Sequence, residues 1–203
     1  VTARLFETVS SAETAPVLGD LDRTVTLFAD DVTSGAQILD DAVAFADPDS
    51  VTLNGGSLQI YYTAGETATD QLSVATDADV TIAADVISVG GTAVGTIDGT
   101  ENGQNGAALT INFNAGASPD AVKEIIERIA YASTDLAANV VNDRKGIGFV
   151  VTDDTGAQTE PDGIFVVIQT GSNTSTAIVG DDWLQPNNTQ STNPGFSNVT
   201  LSE

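Results

Sequence analysis

The chain has 203 residues, which is enough for one large β-domain with extended ends. It contains no cysteine and no histidine, which excludes disulfide frameworks, thiolate or imidazole metal sites and the nucleophile systems that depend on either residue. The 6 basic and 29 acidic residues give a net charge of −23, and a polyanion of this kind repels nucleic acid and anionic lipid. We therefore expect neither nucleic-acid binding nor membrane insertion.

The acidity has two possible explanations. One is solubility, or adaptation to salty surroundings. The other is binding of divalent cations, because a bound ion relieves the repulsion between clustered carboxylates. The chain begins at Val1 without a basic, apolar leader and holds no methionine, so we expect either a processed secreted chain or an excised fragment.

The composition is rich in Thr, Val, Ala, Asp and Gly, which favours strands joined by tight turns. We divide the chain into an N-terminal arm or linker (1–15), one domain (16–170) and a C-terminal arm or linker (171–203). In the first half of the domain, strands are predicted at Val25–Phe28, Leu58–Tyr62, Gln71–Val74 and Val80–Ile82. The pair Gly90-Gly91 supplies the positive φ angles of a two-residue hairpin turn.

A short amphipathic helix is predicted from Pro119 to Tyr131. Ser118 is a capping residue, Pro119 suits the first helical position and Asp120 places an acid in the first turn. The apolar residues that follow have helical spacing, namely Val122, Ile125, Ile126 and Ile129. This stripe is expected to pack on one end or flank of the β-domain.

Three further strands are predicted in the second half of the domain, at Leu109–Phe113, Ile147–Val151 and Ile164–Ile168. The last of these is apolar at every position, which is typical of a central strand that is buried on both faces. Together the elements predict an all-β fold, a β-sandwich with one short α-helix.

Both arms contain apolar residues in polar surroundings. Examples are Leu5 and Phe6 near the start and Trp183 and Leu201 near the end. Such residues suggest that the arms complete the sheet of a neighbouring copy, which would build filaments, or that they fold back on their own domain. Sequons for N-glycosylation occur at Asn173, Asn187 and Asn198.

The order of several motifs resembles a known family. These motifs are Ala15-Pro16-Val17-Leu18, Asp47–Ser50, Gly55–Ile60, Asp70–Val74, Val89–Gly95, Leu109–Ile111, the Ser118-Pro119 helix with Ile129–Ser133, and Ile147–Asp154. Over about residues 15–170 the chain resembles the cadherin-like, immunoglobulin-type repeat of bacterial adhesins and repeats-in-toxin surface proteins. The resemblance implies an immunoglobulin/cadherin-like β-sandwich, calcium near module junctions, and a secreted or cell-surface spacer or adhesive tip.

The chain differs from that family pattern in two respects. It holds a single copy of the repeat, and it lacks the glycine-aspartate nonapeptide of calcium-binding β-rolls. A tandem-spacer role is therefore not visible in this chain, and no β-roll is expected.

Calcium ligands are predicted among the turn aspartates. Asp47 and Asp49 flank a proline that fixes the turn, so both carboxylates can converge on one Ca²⁺. The resemblance adds Asp70, Asp135, Asp153 and Asp154, which lie at strand ends where the family's ligands would fall. The alternative is that these aspartates cap local N–H groups, as aspartate commonly does in turns.

No catalytic residues are predicted. A glycosidase would need a paired set of carboxylates, but nothing singles out one pair among 29 acids, and no nucleophile elbow or phosphate-binding loop occurs. The sequence thus predicts a calcium-stabilised structural or adhesive module that is not an enzyme. A self-assembling filament subunit is the alternative, and a carbohydrate-active enzyme or carbohydrate-binding module ranks below it. The expected partners are calcium ions, other copies of the chain, and surface glycans or proteins.

Overall fold

The structure is a computed structural model that describes residues 13–135 and 143–171. Its largest sheet has eight strands side by side, in the order β2 (Thr24–Phe28), β13 (Asp162–Gln169), β12 (Asp143–Thr152), β5 (Ser57–Ala64), β10 (Leu109–Phe113), β9 (Thr92–Asn102), β8 (Val86–Val89) and β7 (Val80–Ala83). Neighbouring strands are antiparallel except β2 and β13, which are parallel.

Two smaller sheets and two helices complete the fold. One sheet has the order β3 (Gln37–Ile38), β11 (Ile129–Ser133), β6 (Asp70–Val74), and the other pairs β1 (Val17–Gly19) with β4 (Ala44–Ala46). The helices are α1 (Ala29–Ser34) and α2 (Pro119–Ile126). The all-β prediction is confirmed. The specific immunoglobulin- or cadherin-type topology stays a prediction.

One apolar core joins the eight-stranded and three-stranded sheets. Alternate residues of β5 and β12 point into it, and Leu58, Ile60 and Phe149 are at most 1% exposed. Leu72 of β6 and Tyr131 of β11 are fully buried in the same core. The period of two in the sequence therefore identifies the buried face of each strand.

The predicted hairpin is confirmed. Gly90 and Gly91 have φ angles of 56° and 76° and connect β8 to β9, with Val89 paired to Thr92. Residues with a Cβ atom rarely adopt two successive positive φ angles, so the Gly-Gly pair determines this turn.

The predicted helix is too long. Its start is as expected, because the Ala121 N–H donates to Ser118 Oγ at 3.2 Å, but α2 ends at Ile126 and not at Tyr131. Ile129 and Tyr131 belong to β11, which pairs with β6 along its whole length. Backbone hydrogen bonds from neighbouring segments, such as Leu39 N–H to Ile129 O at 2.9 Å, hold this stretch extended.

The prediction of a single helix is also wrong, because α1 is a second one. It has six residues, two acids in its first turn and one buried apolar residue, Val32. A helix of this length shows no repeating apolar pattern, so hydrophobic periodicity cannot detect it.

Strand β13 is buried on one face only, contrary to the prediction. Ile164, Val166 and Ile168 are buried, whereas Phe165 is 43% exposed and Val167 is half-buried. The Arg144 guanidinium lies 4.0 Å from the centroid of the Phe165 ring, a cation–π contact that covers part of this outward apolar surface.

The described residues contain no helix that is long and apolar enough to cross a membrane. The arms predicted at 1–15 and 171–203 lie almost entirely outside the described residues, and so do the three sequons. The alternative roles of these arms therefore stay predictions.

Candidate metal centre

The register of two strand pairs gathers acidic residues from three parts of the chain. Val17 of β1 pairs with Ala46 of β4, so the residues before β1 run beside the turn 47–50. Thr152, the last residue of β12, pairs with Ser57 at the start of β5, which brings the turn after β12 toward the same region. Two contacts join the segments, Thr14 N–H to Asp49 Oδ2 at 3.0 Å and Ser50 Oγ to Asp154 Oδ1 at 2.9 Å.

We call the five carboxylates in this region the acidic cluster: Glu13, Asp47, Asp49, Asp153 and Asp154. Asp47 and Asp153 form its buried part, with exposures of 8% and 1%. Glu13, Asp49 and Asp154 are exposed at its rim. Four of the six predicted ligands thus lie in one region of the structure. Glu13 was not predicted, although its position just before the domain start at Ala15-Pro16 was a usable signal.

Each buried aspartate uses one oxygen to cap its own turn. Asp153 Oδ1 accepts hydrogen bonds from the N–H groups of Thr155, Gly156 and Ala157 and from the Thr155 hydroxyl, at 2.8–2.9 Å. Asp47 Oδ1 accepts one from the Ser50 N–H at 3.2 Å. The turn-capping alternative therefore describes these two oxygens correctly.

The second oxygen of each buried aspartate has no such role. Asp47 Oδ2 and Asp153 Oδ2 are buried and accept no hydrogen bond from the described residues. In that part of the chain no lysine or arginine forms a salt bridge with any member of the acidic cluster. Buried charged oxygens without a partner are costly, so their presence requires an explanation.

The pKa shifts follow from this arrangement. Burial raises the pKa of Asp47, hydrogen bonds from Ser50 oppose the rise, and the negative charge of Asp153 adds to it. Burial also pushes the pKa of Asp153 upward, but its hydrogen bonds from Thr155, Ala157 and Gly156 outweigh burial and leave that pKa below its ordinary value.

Glu13 is electrostatically coupled to the same group. The hydrogen bond from Thr155 lowers the pKa of Glu13, but loss of hydration and the negative charges of Asp49 and Asp153 outweigh it, so the pKa is raised overall. The carboxylates therefore repel one another, which is the condition that a bound cation relieves.

The acidic cluster is not a ready-made cage. Within residues 13–135 and 143–171, no three acidic side chains are close enough together to form an assembled metal-binding group. An ion would have to draw the exposed rim carboxylates toward the two buried ones.

Asp70 and Asp135 lie elsewhere. Asp70 is fully buried at the start of β6, where Lys145 Nζ lies 3.1 Å from its Oδ2 and the Tyr131 hydroxyl donates to its Oδ1 at 2.6 Å. Lys145 precedes Asp153 by eight residues, about 27 Å of extended strand, so Asp70 is at the opposite end of β12 from the acidic cluster. Asp135 follows β11 near Asp70, since Asp70 pairs with Ser133. Neither residue joins the other four predicted ligands.

Comparisons with protein-family models, with curated proteins and with solved structures found no match to this chain.

Proposed function

We propose that the chain is a calcium-stabilised structural or adhesive module of an extracellular bacterial surface protein, and that the acidic cluster holds the ion. The observation that carries this proposal is the pair of buried oxygens, Asp47 Oδ2 and Asp153 Oδ2, to which no group in residues 13–135 and 143–171 donates a hydrogen bond. Removing a charged oxygen from water without a countercharge costs several kcal/mol. A divalent cation supplies that countercharge and a direct ligand bond in one step.

The chemistry of the ligands favours calcium over other metals. All available ligands are oxygens, since the chain lacks the histidine and cysteine on which zinc sites depend. Calcium accepts six to eight oxygens in irregular geometry, whereas magnesium requires a near-ideal octahedron. The acidic cluster has two buried carboxylates in fixed positions and three exposed ones that can move, so it suits calcium better than magnesium.

An ion at this position would have a structural effect. It would tie together three segments that are far apart in sequence, namely the residues before β1, the turn 47–50 and the turn that follows Asp153. A ligand that binds only the folded protein stabilises it by mass action. The extracellular setting rests on the composition and on the family resemblance, and the proposal assigns no catalytic role.

The test is thermal unfolding with millimolar calcium and with chelator. At a calcium concentration 100 times Kd, binding adds about 2.7 kcal/mol, which raises the Tm of a domain of this size by roughly 5–10 °C. The double variant Asp47→Asn with Asp153→Asn should lose most of this rise. Asp41→Asn, which removes one exposed charge outside the cluster, is the matched control and should keep it. An identical Tm in calcium and chelator would refute the calcium site.

A further inference from the structure

The outward face of the eight-stranded sheet carries a surface that the acidic cluster does not involve. It is formed by the alternate residues of β13, β12, β5 and β10 that point away from the core. At its centre Tyr61 of β5 pairs with Gly148 of β12, which in turn pairs with Gly163 of β13. We call this surface the tyrosine face.

Two glycines allow the side chains of β5 to lie across β12. A Cβ atom at Gly148 would be 2.6 Å from Tyr61 Cζ and 3.0 Å from its Cε1, so the ring lies over the place where a side chain of residue 148 would stand. Likewise, a Cβ at Gly146 would be 2.3 Å from Thr63 Oγ1. Tyr61 remains partly exposed. The result is a shallow surface with an aromatic ring laid on the sheet.

Fixed polar groups lie on the same face of the sheet, on the side toward β10 and β9. Gln59, two residues before Tyr61 on the same face, donates from Nε2 to Glu101 Oε2 at 3.1 Å, and the Thr110 hydroxyl donates to the same oxygen at 2.6 Å. This network holds the Gln59 amide in place on β5 and the Glu101 carboxylate on β9, across β10 from it, whereas the Tyr61 ring lies on the β12 side of β5. Amide and carboxylate groups supply both the donors and the acceptors that hydroxyl-rich ligands need.

The tyrosine face is almost free of charge, in contrast to the rest of the chain. At the outward positions of β13, β12, β5 and β10 in the described residues, Arg144 is the one charged side chain, and Glu101 of β9 lies at the border. The whole chain carries 29 acids. The net charge of −23 opposes the approach of polyanions and, at low salt, of further copies of this chain, and a polycation would select the acidic surfaces instead. A neutral partner is the one that suits this face.

We infer that the tyrosine face binds a neutral polysaccharide, with one sugar ring stacked on Tyr61 and the hydroxyl groups of a neighbouring sugar unit hydrogen-bonded to Gln59 and Glu101. Aromatic rings that are apolar on their face and flanked by hydrogen-bonding groups suit a ligand with an apolar C–H face and a hydroxyl rim. The inference goes beyond the proposed function, because it assigns a ligand to a surface that does not depend on the calcium site.

The experiment is native affinity electrophoresis of the full chain in gels that contain dextran, laminarin, xyloglucan or galactomannan, with the anionic polysaccharide alginate as the charge control. At least one neutral polysaccharide should retard the protein, and alginate should not. Tyr61→Ala should weaken this retardation about tenfold, and Tyr61→Phe should preserve it because the ring is kept. Thr81→Ala, at an exposed position of β7, is the control and should behave like wild type.

Two further variants keep the inference testable if Tyr61→Ala fails to fold. Gly148→Ala displaces the Tyr61 ring, and Gln59→Ala removes the amide, so each should weaken retardation while the melting curve stays cooperative. The inference is overturned if no neutral polysaccharide retards the protein, or if the face variants are retarded like wild type. A change in oligomeric state in place of retardation would also overturn it, since the face would then be a contact between copies. Running the gels with calcium and with chelator separates this result from the calcium proposal, whose own readout is the Tm.

Discussion

Lys145 Nζ lies 3.1 Å from Asp70 Oδ2 at a position where neither side chain is more than 2% exposed. The pair links β12 of the eight-stranded sheet to β6 of the three-stranded sheet across the core. The same lysine donates to the Gly65 carbonyl at 2.7 Å, and the Thr67 N–H donates to Asp70 Oδ2 at 2.7 Å. The ion pair is therefore held in a network of hydrogen bonds, as buried charges require.

Replacing Lys145 should destabilise the domain strongly. Lys145→Met leaves Asp70 as a buried charge without its counterion, which costs about 3–5 kcal/mol. The double variant with Asp70→Asn should recover part of that loss, because the uncompensated charge is gone. Urea unfolding measures both losses of stability. Lys123→Met, which breaks a partly exposed pair one turn apart on α2, is the comparison and should cost less than about 1 kcal/mol. If both lysine variants lose the same free energy of unfolding, burial of the Lys145–Asp70 pair does not increase its contribution to stability.

Two tyrosine-to-phenylalanine variants should differ in their effect on folding stability. Tyr131→Phe removes the hydroxyl that donates to Asp70 Oδ1 and should cost about 1–3 kcal/mol. Tyr62→Phe removes a buried hydroxyl that has no hydrogen-bond partner in the described residues, so it should be neutral or stabilising. Chemical denaturation of the two variants side by side checks this contrast. A loss for Tyr62→Phe as large as that for Tyr131→Phe contradicts it.

Asp47→Asn should stabilise the domain in chelator and destabilise it in calcium. The folded-state pKa of Asp47 is raised, so with chelator its charge lowers stability as the pH rises from the ordinary value of 3.8 through the folded pKa. At neutral pH in chelator, Asp47→Asn should therefore be more stable than wild type. In saturating calcium it should be less stable, because a ligand is lost.

The pH dependence supplies the check on this reversal. With chelator, the stability advantage of Asp47→Asn over wild type should be smallest below pH 3.8, where the carboxyl is protonated in both states, and should grow as the pH rises through the folded pKa. Melting curves over this range measure it. A difference that does not change with pH would mean that the charge of Asp47 is not the cause.

Gly103→Ala should be severely destabilising. Gly103 has a φ of 78°, and an added Cβ would lie 2.1 Å from the Leu72 carbonyl oxygen, a backbone atom that cannot move aside. Strain and displacement together should cost at least about 2 kcal/mol. Gly35→Ala is the matched control, since Gly35 is extended, with φ 175°, and has no heavy atom within 4 Å of the added Cβ. Thermal unfolding measures the Tm of both variants. An equal decrease in Tm for Gly103→Ala and Gly35→Ala would contradict this reasoning.

The strands were predictable from the sequence because each has a buried face with a period of two. The end of α2 was not, because Ile129 fits helical spacing after Ile125 and Ile126 as well as it fits a strand. The pairing of β11 with β6 decided the outcome, and a pairing over more than fifty residues leaves no local pattern. Tertiary contacts commonly override local propensity in this way.

The candidate metal centre was predictable in part. Turn chemistry identified Asp47 and Asp49, and the family resemblance added Asp153 and Asp154. Glu13 reaches them through the β1–β4 register, which local sequence does not specify. Asp70 was misplaced because its partner was overlooked. Lys145 has the same parity as Ile147 and Phe149, so the alternation that predicted β12 also placed a lysine on the buried face, where it needs an acidic partner.

The parallel pairing of β2 with β13 determines how the domain would respond to mechanical load. The chain enters β2 at Thr24, beside Phe165, and leaves β13 at Gln169, beside Phe28. A pulling force applied between Thr24 and Gln169 would act on opposite ends of this strand pair and load its hydrogen bonds in shear. Bonds loaded in shear must break together, whereas those of a hairpin pulled open from one end break one at a time. We therefore expect this strand pair to resist a force between these two residues more strongly than a hairpin of the same length would.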